Sequence, residues 1–482
     1  MTYHPTIGLE VHVELLTERK MFCDCRNDET ELQANKNTCP ICLGHPGTLP
    51  RANKKAIDYV IKTGRALHCS INKESKFDRK NYFYPDLPKA YQISQYDQPL
   101  CIDGFLELPF SKHTIRIKRI HLEEDTARLS HAADGKHSLV DFNRAGVPLM
   151  ELVTEPDFHS ASDVVEFAQE FQLILRYLGV SDGDMEKGHL RLEANISVAP
   201  EGSETLGTKV EIKNLNSFKV LEKSISFEIE RQSKVYEEGG SITQETRGWD
   251  EEKGETVSQR SKEEAHDYRY FPEPDLPPLH FSDEDIRVIE ESIAELPQER
   301  RERLSKEYGL SEKQSHELAK DIFYTDFFEE AVSEARALDK GIDPKKVYNY
   351  LFSDVRGIEL DIALSLDDSH LTPQKLADIV VRVTRGDISS RVAKDILSVM
   401  FQEDISAEGY IKEHNLGQIS DPDALRGIAA GVIKEHPDAV EQFQKGKENA
   451  VQFLLGQVMA KTKGAADPKE SKDILLDLLK KM

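Results

Sequence analysis

Glu10 and His12 stand two residues apart in Ile7-Gly-Leu-Glu10-Val-His12-Val-Glu14, where apolar and polar residues alternate. Alternation of period two predicts a β-strand and puts both side chains on one face. Two carboxylate-bearing stretches come later, His121-Leu-Glu123-Glu124-Asp125 and the run from Asn143-Arg144 to Glu151. Carboxylates and a histidine converging on one sheet face would make a cage for magnesium, and through it for nucleotide phosphates. Taken alone, Glu10 and His12 fit more simply the solvated polar face of a half-exposed strand. Along a strand, Glu123 and Asp125 would face away from Glu124, which predicts a supporting role for them.

Four of the six cysteines form Cys23-x-Cys25 and, thirteen residues later, Cys39-Pro-Ile-Cys42. Two close pairs across a short loop can give four thiolates to one tetrahedral zinc, and in a reducing compartment this reading outweighs disulfides. The one-residue spacer of the first pair is the less usual part. The expected zinc is structural. Cys69 and Cys101 have no partner spacing and read as small core residues.

The cationic candidates for phosphate are Arg79, Lys80, Lys89 and Arg144, with ordinary surface pairing as the alternative for each. Tyr82 and Asn143 stand in the same two dense motifs and join them as substrate-binding candidates. Gly202 to Lys209 has two glycines at P-loop spacing, but its Thr-Lys order is inverted and a strand pattern follows, which excludes the usual phosphate cradle.

Elements to position these residues are legible. Strand patterns cover Ile7–Leu15, Thr114–Leu122, Leu190–Val198 and Lys209–Ile212. Helical patterns cover Lys54–Leu67, Ala161–Leu178 and Ser217–Gln232. Without regular β-α alternation, this predicts an α+β fold with a largely antiparallel sheet over residues 1–290. Tyr268 to Leu279 carries four prolines in twelve residues and reads as an extended connector. The chain then turns helical and charge-rich, with starts marked at Ser282, Asp343-Pro344, Thr372-Pro373 and Asp421-Pro422. A break near Gly409 divides an all-α domain, 291–409, from a small all-α tail, 410–482.

Composition is that of an ordinary soluble protein, 38% hydrophobic and 31% charged, with a net charge of −24. Residues 51–120 depart from this, with 14 Lys and Arg against 7 Asp and Glu, an excess of +7, and tyrosines interleaved. Such a stretch can hold nucleic acid phosphates on an acidic protein, although charge alone leaves this open. There is no apolar run long enough to span a membrane. The N-terminal residues lack the basic and apolar regions of a signal peptide, which predicts a cytoplasmic location.

The motifs IGLEVHVEL, SKFDRKNYFYPDLPKAYQISQYDQP, HLEEDTARLSH, LVDFNRAGVPLMELVTEPD, GTKVEIKNLNSF and DYRYFPEPDLPPL occur in this order, followed by GKENAVQFLLGQVMAKTKGAADP near the C-terminus. Together they resemble the B-subunit family of the glutamyl-tRNA(Gln)/aspartyl-tRNA(Asn) amidotransferases, nearly end to end. The resemblance implies a catalytic domain folded like glutamine synthetase and a tRNA-binding tail. It implies ATP and magnesium as cofactors, with Glu10, His12, Glu124 and Glu151 matching the family's magnesium-site residues. It also implies a heterotrimer with a glutaminase (amidase) partner and a small third component, acting on mischarged aminoacyl-tRNA. Some members carry the cysteine knuckle and others lack it. Lys187, His189 and Glu193 depart from the family's wording, whereas Glu186, Arg191 and Asn195 match; the latter suit an ammonia path or buried hydrogen bonding equally. The chain has no Ser-rich amidase signature, so its ammonia would come from elsewhere. An aminoacyl-tRNA synthetase is disfavoured by the lack of HIGH- or KMSKS-like sequences, and a non-enzymatic tRNA-binding scaffold is the remaining alternative.

Overall fold

The alternating N-terminal stretch is a long strand at the middle of a nine-stranded sheet. In the computed structural model, residues 3–203, 205–261, 268–414, 416, 422–445, 447, 449–462 and 466–482 are described. The strands of the main sheet are β1 (Tyr3–Glu14), β2 (Ser70–Ile71), β3 (Cys101–Glu107), β4 (Thr114–Glu124), β5 (Pro148–Thr154), β6 (Leu190–Pro200), β7 (Val210–Leu215), β8 (Glu245–Asp250) and β9 (Glu255–Ser261). Their order is β9-β8-β7-β6-β1-β5-β4-β3-β2, antiparallel except between β7 and β8.

Alternation sorts this sheet into two unlike faces. Ile7, Leu9, Val11 and Val13 on β1, Ile120 and Leu122 on β4, and Leu192, Ala194 and Ile196 on β6 are all buried in one core. Three helices supply the other half of that core: α1 (Lys54–Ala66), α2 (Ala161–Leu178) and α3 (Phe218–Glu237), through residues such as Val60, Phe171 and Leu221. Each start is fixed by a side chain accepting from free backbone amides. Asn53 accepts from the amides of Lys55 and Ala56, Ser160 from that of Asp163, and Ser217 from that of Val220. The second of these helices ends at Gly179, whose φ of 65° is the left-handed conformation that glycine adopts without strain. The remaining face of the sheet carries the charged residues. A three-stranded side sheet of Asp78–Asn81, Tyr91–Ser94 and Phe271–Pro272 lies by the end of β4, where Gln92 Nε2 donates to the Glu124 carbonyl at 2.7 Å.

The chain divides into two compact units, Met1–Glu299 and Arg300–Met482. The second is helical throughout its described residues. Ser282, Asp343 and Thr372 cap helices as the sequence predicts, while Asp421 lies outside the described residues. Two separate hydrophobic clusters form within the second unit, one built from Leu304 to Ala407 and one from Leu425 to Leu479. The expected break at Gly409 falls inside the helix Ala407–His414, whose Tyr410 and Ile411 pack on the first of these clusters. Among the described residues, no helix is long and apolar enough to cross a membrane.

Candidate active site

Register decides which charged residues meet. On β1, His12 pairs with Glu151 of β5, which pairs in turn with His121 of β4. Residues directly opposite share a face, so β1, β5 and β4 aim His12, Glu151, His121 and Glu123 into one place. His12 Nε2 lies 3.4 Å from Glu151 Oε2 and 3.7 Å from Glu123 Oε1; His121 Nε2 lies 3.4 Å from Glu151 and 3.8 Å from Glu123. His12, Glu123 and Glu151 can each turn one donor atom so that all lie within 4.8 Å of one another, a spacing that suits a metal ion.

Electrostatics at this point favour a positive charge. Burial of the His12 ring opposes its protonation, yet the Glu151 carboxylate, with Glu123 and Glu193 beyond it, outweighs burial and raises His12 to about 9. Glu151 is held well below the ordinary carboxylate range: burial works against its charge, and His121 and His12 overcome it. Glu123 is lowered too, burial again opposing, with His121 and Lys80 prevailing. A cluster that holds a proton this firmly would hold a divalent cation in its place.

A second acidic cluster lies two residues back along β1. Glu10 pairs across β1–β6 with Glu193, and Asn195 of β6 pairs with Glu211 of β7. Glu10, Glu193 and Glu211 also meet the 4.8 Å criterion. Asn195 Nδ2 donates to Glu10 Oε1 at 2.9 Å, whereas its buried Oδ1 has no hydrogen-bond partner among the described residues. A buried carbonyl oxygen without a donor, beside three carboxylates, is what an oxygen-seeking cation would complete. Lys213 answers part of the negative charge, 2.8 Å from Glu193 and 3.8 Å from Glu211.

The expected quartet of Glu10, His12, Glu124 and Glu151 is therefore not gathered into a single cage. His12 and Glu151 are together, Glu10 stands in the neighbouring cluster, and Glu124 points elsewhere. As adjacent residues on β4, Glu123 and Glu124 face opposite ways, and it is Glu123 that shares a face with His121. Glu124 is ion-paired to Lys89 and accepts from the Ile93 amide at 3.0 Å. The alternation rule thus holds, and it places Glu123 rather than Glu124 on the face of the cluster. Nothing in the spacing flagged Glu211, and Glu193 reaches its cluster through strand register.

The cationic candidates separate in the same way. Lys80 is half-buried beside the first cluster; desolvation disfavours its charge, but Glu123 with the nearby tyrosines and Glu151 raises its pKa. Tyr82 lies close enough to feel Lys80 and Glu123. Arg79 is instead engaged by the buried Glu273, at 2.6 and 2.9 Å, and by Asp275. Asn143 braces the loop between the cysteine pairs, accepting from the Asn37 amide at 2.8 Å and donating to the Gln33 carbonyl. Arg144 donates to the carbonyls of Thr126 and Ala127 and lies 3.5 Å from Asp125. Arg191 Nη2 bridges that same Asp125 to Glu14, 2.6 Å from the latter. All three arginines are thus engaged by protein acceptors in this arrangement. Arg119, which the motifs did not single out, lies 3.6 Å from Glu151.

The four cysteines come together as their spacing predicts, one sulfur each within 4.8 Å of the others. Cys42 Sγ accepts from the Cys39 amide at 3.1 Å, and the Cys23 thiol together with the charge of Lys20 draws Cys42 down to about 5. Lys20, a fully buried cation that sequence periodicity did not reveal, donates to the carbonyls of Asn37 and Phe142 and lies 3.9 Å from Cys42 Sγ. The knuckle adjoins a cavity of about 220 Å³ whose lining includes Lys89 and Glu124. Gly44 of the knuckle sits against Lys89 so closely that a Cβ there would lie 2.7 Å from its Cγ. Cys69 and Cys101 are buried in the main core, away from this group.

The comparisons with known proteins agree along the whole chain. A family model described as the GatB/GatE catalytic domain matches residues 5–287, and one described as the GatB domain matches residues 326–479. A relative from Thermodesulfovibrio yellowstonii, named as the B subunit of aspartyl/glutamyl-tRNA(Asn/Gln) amidotransferase, is 46% identical over 484 residues, covering 100% of both chains. Relatives of the same name from Persephonella marina and from a Synechocystis strain are 45% and 44% identical, the first covering 100% of both chains, the second 99% of this chain and 98% of its own.

Proposed function

The chain belongs to the family of aspartyl/glutamyl-tRNA(Asn/Gln) amidotransferase B subunits, and from that premise we propose that its first unit activates the side-chain carboxylate of a mischarged aminoacyl-tRNA with ATP. The γ-phosphoryl group passes to the carboxylate of Glu-tRNA(Gln) or Asp-tRNA(Asn), releasing ADP; ammonia then attacks the acyl phosphate and phosphate leaves, giving the amide. Activation is required because a carboxylate resists attack by an amine at neutral pH, whereas its phosphoric anhydride does not. The observation that carries this reading is the pair of acidic clusters two residues apart on one sheet face.

His12, Glu123 and Glu151 would hold one magnesium ion, and Glu10, Glu193 and Glu211 a second, with Asn195 Oδ1 beside it. Magnesium in such a place neutralises phosphate charge during transfer. Lys80 supplies fixed positive charge next to the first cluster, and Arg119 lies at its edge. The charged sheet face also supports kinship in fold with glutamine synthetase, in the sense that an antiparallel sheet presents the metal ligands.

The remaining parts of the reading are a glutaminase and a small third protein as partners in the heterotrimer, a structural zinc on Cys23, Cys25, Cys39 and Cys42, and tRNA contacts by the tail. A cytoplasmic setting follows from that work. The test is ADP formation by the complex assembled with its glutaminase partner, given ATP, magnesium and each mischarged tRNA in turn. ADP and amide that depend on the mischarged tRNA support the reading. A chain that binds tRNA but yields no ADP is the scaffold instead.

A further inference from the structure

Beside the first acidic cluster, four tyrosines from distant parts of the sequence form a continuous row. Tyr82 meets Tyr268 edge-on with 6.1 Å between ring centroids, and Tyr268 meets Tyr270 likewise at 6.0 Å. Tyr270 then stacks on Tyr96 at 4.2 Å, with 10° between the ring planes. The inner part of the row lies at the charged centre: Lys80 Nζ sits 5.1 Å from the centroid of the Tyr268 ring, and the charge of Glu123 reaches Tyr82 and Tyr270. The outer end is open, with Tyr96 60% exposed.

The backbone is strained to build this row. Arg269, between two of the tyrosines, has a φ of +44°, a conformation costly for a residue with a long side chain. Asn81 holds it in place: its amide donates to the Tyr268 carbonyl at 3.0 Å, and its side-chain Nδ2 donates to the carbonyls of Tyr268 and Arg269 at 3.2 and 2.8 Å. Filling a core would require neither the strain nor an outermost ring left in solvent. A parallel two-ring stack with one open face is a platform on which a third flat ring can continue.

We propose that the outer face of the Tyr96–Tyr270 stack binds an adenine ring. This rests on the function proposed above, in which two adenosine-bearing substrates must meet at the metal cluster: ATP, and the single-stranded 3′-terminal nucleotide of tRNA that carries the amino acid. Unpaired bases stack on aromatic side chains, and each such contact contributes enough that its loss is felt as roughly a tenfold change in affinity. The row would thus keep the base at the surface while the reacting group extends inward toward Lys80.

The test compares the assembled complex carrying wild-type chain, Tyr96→Ala or Tyr96→Phe. The KM values for ATP and for mischarged aminoacyl-tRNA are measured in ADP formation, and a fluorescent oligoribonucleotide ending in CCA is titrated by anisotropy. Tyr96→Ala should raise one KM roughly tenfold with kcat little changed, and Tyr96→Phe should stay near wild type. A rise for aminoacyl-tRNA, with weaker oligonucleotide binding, assigns the platform to the RNA terminus; a rise for ATP alone assigns it to the nucleotide. If wild type forms ADP and neither KM moves by more than about twofold, the platform is refuted while the kinase reading stands. If wild type forms no ADP, the kinase reading falls, and unchanged oligonucleotide and ATP binding in Tyr96→Ala refutes the platform independently.

Discussion

His12 and Glu151 face each other directly across two antiparallel strands, with Nε2 of one 3.4 Å from Oε2 of the other. Since Glu123 completes this group and Glu124 does not, the two glutamates should respond differently to the same change. Glu123→Gln and Glu151→Gln should lower ADP formation by about 10²–10³-fold and raise the magnesium needed for half-maximal rate. Glu124→Gln should leave that magnesium requirement unchanged and act through the unpaired Lys89 instead. Magnesium titrations of the three variants check this, and a shifted requirement for Glu124→Gln alone would refute the assignment.

Cys39→Ser should remove one equivalent of zinc and lower the melting temperature by roughly 5–10 °C. Metal analysis and calorimetry on the same preparation are the measurement. Full loss of zinc with an unchanged melting temperature would contradict a structural role.

Gly44→Ala tests how the knuckle seats Lys89. Gly44 has a φ of +66°, and an added Cβ would approach the Lys89 Cγ to 2.7 Å and its backbone Cα and N to 3.2 Å. Backbone neighbours cannot swing away as a side-chain tip can, so the variant should lose about 1–3 kcal/mol of stability. A denaturation curve superimposable on wild type would show that the contact yields.

His189 predicts a pH effect apart from the two acidic clusters. Burial opposes its charge, but Asp182 at 2.8 Å and Glu29 at 2.5 Å raise its pKa above the ordinary value. A folded-state value above the unfolded one stabilises the protein fully below about pH 6.5, and that stabilisation is lost as pH rises through the folded value. The stability gap between wild type and His189→Gln should therefore narrow from pH 6 upward. A gap constant from pH 5 to 9, measured by urea denaturation, would exclude the linkage.

Deleting residues 422–482 should raise the KM for aminoacyl-tRNA roughly tenfold while glutaminase activity of the complex persists. This cut leaves the helix Ala407–His414 with the cluster it packs on. Lys447 and the half-exposed Phe453 line a groove of the tail, whereas Lys445 and Lys461 are paired to Glu441 and Glu435; Lys463 and Gly464 lie outside the described residues. An unchanged KM would remove the tail from tRNA binding.

What the sequence disclosed was local. The alternation around Glu10 and His12, the cysteine pairs and the caps at Ser160, Ser282 and Thr372 depend on neighbours a few residues away, and each appears in the structure. What it did not disclose depends on pairing between distant strands. Glu193 and Glu211 join Glu10 only through the registers of β6 on β1 and of β7 on β6. Glu123 rather than Glu124 stands at the cluster because His121, directly opposite Glu151, sets the parity of β4. Lys20 lacks any periodic context, and its burial follows from three carbonyl and sulfur partners supplied by other segments.

The two-faced character of β1 also bears on how the chain finds its pairing. Sliding this strand by one residue against β5 or β6 would turn Ile7, Leu9, Val11 and Val13 toward the charged side and drive Glu10 and His12 into the oily layer under the helices. No apolar neighbour there could satisfy them, so every slip by an odd number of residues is penalised by the same charged groups that form the clusters in the correct one. Glu10 and His12 thus serve as alignment marks during folding, and a one-residue drift of the first strand would scatter the charged clusters and cost stability in a single step.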